Sequence, residues 1–318
     1  AFLAVGVLAG IFFASRPKLP AVLSSTAEPA AVLSANAGTV WSVSFNPASD
    51  TLAMAVEDGS VRLWDWAKAS VKSTVPAHRG VVWSVQFSNT GEQFVTAGDD
   101  GLIKLWKVSE AEPVQTFDNA NAVRGLALSH DNRRLIAGVR DGHVRVWSLE
   151  HSNQPLAELE HNGAVYAIAL SPDDETLATA GSDKTIHLWN AKTKTQKLPL
   201  EGHTGPVYGL AFQHDGKRLA SVGWDKTVRI WDTGNGQLIK SWEGHDGDIW
   251  SVAFSPDGAT LATGGHDGAV KLWDTDTGKL RGTYLGHKLA VHTVVFNEAG
   301  NLLASGGRDG AVRVWTMK

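Results

Sequence analysis

The chain has 318 residues, room for two or three domains at ordinary sizes, and its 43% hydrophobic and 8% aromatic content suits a folded protein with a sizeable core. A net charge of −4 supplies no basic stripe to displace counterions from a polyanion, so no nucleic-acid partner is expected. Cysteine is absent, which excludes disulfides, thiolate catalysis and cysteine-bound zinc and is compatible with either side of a membrane.

Residues 1–14 read AFLAVGVLAGIFFA, uncharged and almost wholly apolar. As a helix they cover about 21 Å at 1.5 Å per residue, short of the roughly 30 Å hydrocarbon core. The sequence opens on Ala rather than Met, so the apolar run is expected to extend upstream. Three readings compete: a truncated transmembrane anchor, the apolar region of a signal peptide, and a buried helix. Bulky Phe12 and Phe13 precede Ala14 and Ser15, where a cleavage site wants small residues, so residues 1–15 read best as an anchor helix. Arg16 and Lys18 would hold the following chain in the cytoplasm by the positive-inside rule, but with one flank to read the side of the membrane stays open. Residues 16–30, with Pro17, Pro20 and Pro29 among Ala and Ser, read as a semi-extended tether.

From residue 31 onward one unit recurs. A Trp closes each copy (Trp64, Trp106, Trp147, Trp189, Trp231, Trp273 and Trp315), at successive spacings of 42, 41, 42, 42, 42 and 42 residues. In the sixth copy Ile249–Phe254 reads as a strand, Ser255–Gly258 as a tight turn and Thr260–Gly264 as a second strand. A hairpin at His266-Asp267-Gly268 leads to a third strand, Val270–Asp274, and a turn at Asp276–Lys279 to a fourth, Leu280–Tyr284. Four short strands per copy make one antiparallel blade, and seven copies at a fixed period imply an all-β closed array of seven blades.

Gly-His pairs at Gly202-His203, Gly244-His245 and Gly286-His287, and Trp-Asp pairs at Trp64-Asp65, Trp231-Asp232 and Trp273-Asp274, complete the pattern. Over residues 31–318 the chain resembles a WD-repeat β-propeller. The last copy stops at its third strand, Val312–Thr316, and the resemblance implies that Ala31–Ser34 supplies the missing fourth. It also implies a His–Ser/Thr–Asp–Trp hydrogen-bond network in each blade. The complete sets are His78/Thr96/Asp100/Trp106, His161/Thr179/Asp183/Trp189, His203/Ser221/Asp225/Trp231, His245/Thr263/Asp267/Trp273 and His287/Ser305/Asp309/Trp315. The first blade has Asn36 and Met54, and the third Asn119 and Ala137, where His and Ser/Thr belong. Both keep the turn aspartate, Asp58 and Asp141, as expected if it also caps the hairpin. These two blades are expected to exchange their amide hydrogens fastest.

A His-Ser/Thr-Asp set present five times is scaffold, since a catalyst needs one activated site. Asp274-Thr-Asp276-Thr-Gly278 lacks the later ligands of a calcium loop and reads as a turn. Gly264-Gly265 lacks the Lys and helix of a phosphate loop. Neither enzymatic activity, a cofactor nor a bound metal is expected. A basic residue stands two before each Trp (Arg62, Lys104, Arg145, His187, Arg229, Lys271 and Arg313), read as pairing blade to blade with the acidic turns.

Function should sit where the copies differ. The residue five after the network His is Trp41, Trp83, Arg124, Tyr166, Tyr208, Trp250 and His292 in turn, and the resemblance implies that it points into the channel mouth. The residue before each turn Asp (Glu57, Asp99, Arg140, Ser182, Trp224, His266 and Arg308) would join the same rim. Such a mouth would carry four Trp, two Tyr and a rim split between Glu57/Asp99 and Arg140/Arg308. Trp, Tyr and Arg are the anchors of protein interfaces, so a peptide or protein-loop docking site is preferred over aromatics that merely plug the channel. Trp66 and Trp242 fall outside this ring, as outer-strand packing or a second, lateral contact. The function these features imply is a non-catalytic scaffold that docks partner proteins and assembles or stabilises a membrane complex, touching the bilayer through residues 1–14. The alternatives are a ligand-binding or redox-associated module of an enzyme complex, and a soluble adaptor if residues 1–14 do not insert.

Overall fold

The computed structural model describes residues 28–35, 37–150 and 154–317. The apolar stretch 1–14, most of the tether and Asn36 lie outside them. Among the described residues no helix is long and apolar enough to cross a membrane.

The described residues form seven four-stranded antiparallel sheets. Six are built from consecutive strands, such as Val40–Phe45, Thr51–Val56, Ser60–Asp65 and Ser70–Pro76 in the first blade. The seventh takes Val291–Phe296, Leu302–Gly307 and Ala311–Thr316 from the C-terminal end and its outermost strand, Ala31–Ser34, from the other. Ala31 pairs with Val314 and Ser34 with Ala311. Thr260–Gly265 and Ala311–Thr316 are each one residue longer than the turn signals imply, because the ladder runs on to the hairpin itself.

Sequence pattern follows position in the blade. Second strands such as Thr51–Val56 and Leu302–Gly307 are buried along their whole length, since a neighbouring sheet covers each face, and they read as continuous apolar or small-residue runs. Outermost strands such as Ser70–Pro76 are mostly exposed and polar, which blunts an edge that would otherwise recruit other strands.

The core lies between blades. Ala53, Val61 and Leu63 of the first blade pack with Val82, Val85, Phe94 and Trp106 of the second. At the closure, Leu33, Leu302, Val312 and Val314 of the last blade pack with Val40, Leu52, Met54 and Trp64 of the first. The inner strands touch in sequence around the ring, and Val291–Phe296 meets Val40–Phe45.

Closure therefore hangs on a four-residue strand. Leu33 is fully buried and its neighbour Val32 is 51% exposed. Leu33→Ala is expected to cost about 2–5 kcal/mol in urea denaturation, and Val32→Ala no more than about 0.5 kcal/mol. Equal effects would show that the strand does not close the ring.

Candidate functional site

In all seven blades the register between first and second strands slips at one place. The slips lie between Val40 and Ser42, Val82 and Ser84, Val123 and Gly125, and Val165 and Ala167. The others lie between Val207 and Gly209, Ile249 and Ser251, and Val291 and Thr293. The residue passed over is Trp41, Trp83, Arg124, Tyr166, Tyr208, Trp250 or His292. A bulge leaves that residue out of the ladder and re-aims its side chain. All seven line one cavity of about 250 Å³ at the end of the channel where the inner strands begin. Leu126, Ile168, Leu210 and Val252 also line it. The sequence reading passed over these four, although each stands two residues after a collar residue.

The seven side chains make a closed collar. Ring centroids lie 4.6 Å apart for Trp41–Trp83, 5.8 Å for Tyr166–Tyr208 and 4.5 Å for the stacked Tyr208–Trp250 pair. Trp250–His292 at 5.1 Å and His292–Trp41 at 4.2 Å continue it. Arg124 bridges the remaining gap, with Cζ 4.0 Å from the Trp83 centroid and 5.2 Å from that of Tyr166. Both separations are within cation–π range.

Burial, then the charge of Arg308, pulls His292 down to about 4, so its imidazole is neutral at pH 7. Burial likewise lowers the pKa of Arg124, partly offset by Tyr166, yet a guanidinium stays charged. Among the described residues Nε1 of Trp41, Nε1 of Trp250 and Nδ1 of His292 are buried without a hydrogen-bond partner. Trp83 Nε1 instead donates to Asp99 Oδ1 at 3.2 Å.

The hairpin residues Glu57, Asp99, Arg140, Ser182, Trp224, His266 and Arg308 do not line the cavity itself, whose wall holds three Trp, although Asp99 bonds the collar through Trp83. The reason is local. Trp224, 55% exposed, lies over Gly205, and His266 over Gly247, where an added Cβ would meet those side chains. Glu57 Oε2 accepts from the Thr39 amide at 2.8 Å. Trp242 packs on Trp273 at 5.8 Å and Trp66 against the closure core, both as outer packing. Asp274 accepts from Thr277 and Arg281, which makes its segment a pinned turn.

The networks sit deeper in the blades. His78 Nδ1 lies 2.8 Å from Asp100 and Nε2 2.7 Å from Thr96 Oγ1, which also accepts from Trp106 Nε1 at 3.0 Å. The same linkage joins His161/Asp183/Thr179/Trp189 and His203/Asp225/Ser221/Trp231. It recurs in His245/Asp267/Thr263/Trp273 and His287/Asp309/Ser305/Trp315. Every group is satisfied when a neutral His donates from Nδ1 to Asp and accepts the hydroxyl proton at Nε2.

The five hydroxyl members, Thr96, Thr179, Ser221, Thr263 and Ser305, are fully buried, at 0% exposure. Their burial agrees with the scaffold role expected of the network, since no partner or substrate can reach them. The reason is their place on the second strand of each blade, which neighbouring sheets cover on both faces. Ser221 Oγ is taken up by His203 and Trp231, Thr263 Oγ1 by His245 and Trp273, and Ser305 Oγ by His287 and Trp315.

Burial opposes ionisation of the network aspartates, but hydrogen bonds from histidine and from other, mostly backbone, donors, with the nearby positive charge, together hold the carboxyls below their usual range. The His ring lies so close to the backbone that a Cβ on Gly98 or Gly265 would strike it at 2.5 or 2.3 Å.

The two variant blades differ as their residues require. Trp64 Nε1 is buried without a partner, beside Met54. Trp147 Nε1 donates to Asn119 Oδ1 at 3.3 Å, and Asn119 Nδ2 is left without a partner among the described residues. Asp58 and Asp141 still accept from the amides of Ser60 and His143 in their own hairpins.

The basic row is corrected. Three members pair within their own blade, four residues after the turn aspartate: Arg62–Asp58 at 3.1 Å, Arg145–Asp141 at 3.0 Å and Arg313–Asp309 at 3.0 Å, whereas Lys104 and Lys271 donate to the carbonyls of Ala77 and Gly244. The hairpin itself brings both side chains onto one edge of the blade, within reach of each other. In the fourth blade His187 fills the row and shares Asp183 with His161. These three could offer metal ligands within 4.8 Å of one another. Gln196, Thr179 and Asp183 already satisfy both imidazoles.

The family model of the WD domain, G-beta repeat, matches residues 27–65, 69–107, 111–148, 153–190, 193–232, 236–274 and 278–316. The chain belongs to the WD-repeat family. Each matched segment joins the outer strand of one blade to three strands of the next, so repeats and blades are staggered by one strand. A search of curated proteins finds no match.

Thr96→Val keeps the shape of a fully buried side chain but strands both His78 Nε2 and Trp106 Nε1. A loss of about 1–3 kcal/mol per stranded group is expected in chemical denaturation, and an unchanged midpoint would refute the network's contribution. The collar has a pH signature as well. His292 has its folded pKa below the ordinary 6.5, so the unfolded chain takes up that proton first and stability falls as pH drops from about 6.5 towards 4. The depressed aspartates contribute above 3.8 and are lost only in stronger acid, outside this window. His292→Gln should flatten the decline in melting temperature between pH 7 and 4.5, and an identical slope would count against a buried neutral His292.

Proposed function

We propose that this protein is a non-catalytic scaffold that docks a partner protein at the collared mouth, tethered to a membrane by residues 1–14 so as to hold or assemble a membrane complex. The observation that carries the reading is the collar itself. Scaffold positions repeat from blade to blade, whereas the seven bulge positions hold five aromatics, an Arg and a His around one cavity. Trp, Tyr and Arg combine large apolar area with a polar handle and dominate interface energetics. WD-repeat propellers commonly bind protein partners, which supports the same reading. The cavity's 250 Å³ is below the roughly 300–1,000 Å³ of sites that enclose a drug-sized ligand. That favours a side chain entering from a larger partner over a small molecule held whole. The apolar run with Arg16 and Lys18 after it supports the tether.

Affinity purification of the full chain in mild detergent, against a Trp83→Ala/Trp250→Ala variant of matched melting temperature, tests the site. Partners recovered with the intact chain and lost with the variant are expected. Partners retained by the variant would move docking to the blade sides or the opposite face. Membrane fractionation with and without residues 1–14 tests the tether, which fails if both forms remain in the supernatant.

A further inference from the structure

We infer that the collar receives an acidic side chain, an Asp or Glu carboxylate on an extended segment of the partner, with Arg124 as its counter-ion. This rests on the mouth being the docking site. Arg124 is held by rings and not by an anion: Trp83 and Tyr166 flank it, and among the described residues its guanidinium has no hydrogen-bond or ion-pair acceptor. Ring contacts engage the face of a guanidinium and leave its N–H fork for a planar, bidentate acceptor. Asp99, a carboxylate that acts on Arg124, already accepts from Trp83 Nε1. Arg140 stands close enough to press on Arg124, so two cations face one engaged carboxylate on this side of the mouth. Glu57, on the side of Arg308 and His292, is bound to the Thr39 amide, and Asp248 lies towards Tyr208.

Among the described residues the indole N–H groups of Trp41 and Trp250 have no acceptor, but they are buried and add nothing to the choice of guest. The unpaired cation of Arg124 selects a guest that carries negative charge, and the hydroxyls of Tyr166 and Tyr208 can donate to it as well. A Lys or Arg side chain, the usual charged guest of an aromatic cage, would meet Arg124 at close range and is disfavoured. A partly desolvated guanidinium without an anion is unfavourable, and an entering carboxylate relieves that while making charge-assisted hydrogen bonds.

The test pans a random phage-displayed peptide library on the full chain in detergent and remakes the best binder with an amidated C-terminus. An Asp or Glu is expected at one fixed position. Changing it to Asn or Gln should weaken binding at least about tenfold. Arg124→Met, at matched melting temperature, should weaken the parent peptide by a similar factor, and combining the two changes should cost little more than either. Arg124→Lys keeps the charge without the fork and should recover part of the loss, which separates recognition from misfolding. Binders lacking an acidic residue, binders indifferent to Arg124→Met, or no binder at all overturn the inference. Acid-free binders that are lost on Trp83→Ala/Trp250→Ala overturn it while leaving the docking site standing, and binders indifferent to every variant overturn both. Competition by glutarate with no acidic peptide enriched would assign the cavity to a free carboxylate and overturn the commitment to a protein segment.

Discussion

A small four-stranded sheet with two apolar faces is not stable by itself, because each face must be covered by another sheet. Here every blade solves this by lying against two neighbours, and the seven apolar clusters all straddle a blade boundary. The constraint has no natural end, since a terminal blade would expose a core face. Joining the last blade to the first removes the problem, and the one-strand stagger between repeat and blade makes that join a set of backbone hydrogen bonds. The position of every other feature depends on this closure, including the channel that it leaves at the centre.

The site is a by-product of how the ring curves. Seven inner strands converging on an axis cannot keep a flat, fully paired register, and each takes a bulge at its second residue. The bulge converts an ordinary strand position into one that faces the axis. Because it recurs in all seven blades, seven unpaired positions meet in a circle, and each side chain touches its neighbours on both sides. The scaffold demands only that something fill this circle. The choice of Trp, Tyr, Arg and His, with three buried nitrogens left unpartnered, exceeds what filling requires.

The networks and the collar divide the same residue types between two jobs. Network His and Trp are saturated with partners and lock a blade; collar His and Trp are half-buried against each other, and Trp41 and Trp250 keep unused donors. The fourth blade shows how little separates the two uses, since replacing the basic-row Arg or Lys by His187 puts two imidazoles on one carboxylate without disturbing the tetrad. Where the tetrad is incomplete, at Trp64 and Trp147, the blade still packs. Interblade burial therefore outweighs any single hydrogen bond.

Periodicity was enough to read the fold. A Trp every 41 or 42 residues, with turn residues at fixed offsets, determines strand number, blade number and the short C-terminal copy, and the WD-repeat resemblance implies that Ala31–Ser34 completes it. The seven collar residues were legible as one varying phase of the repeat, and the WD-repeat resemblance implied that this phase faces the channel mouth. Three things were not. Trp224 shares a phase with Glu57 and Arg308, but only the path of its hairpin over Gly205 keeps it out of the cavity. The basic row has the spacing of a ladder, yet whether it pairs within or between blades depends on side-chain reach across a particular edge. That seven residues about 42 apart touch in an unbroken circle depends on sheet twist and a one-residue bulge. Both are properties of packed strands, and neither leaves a mark in the order of the amino acids. Sequence determines which residues share a position in the repeat; only tertiary structure decides what that position faces.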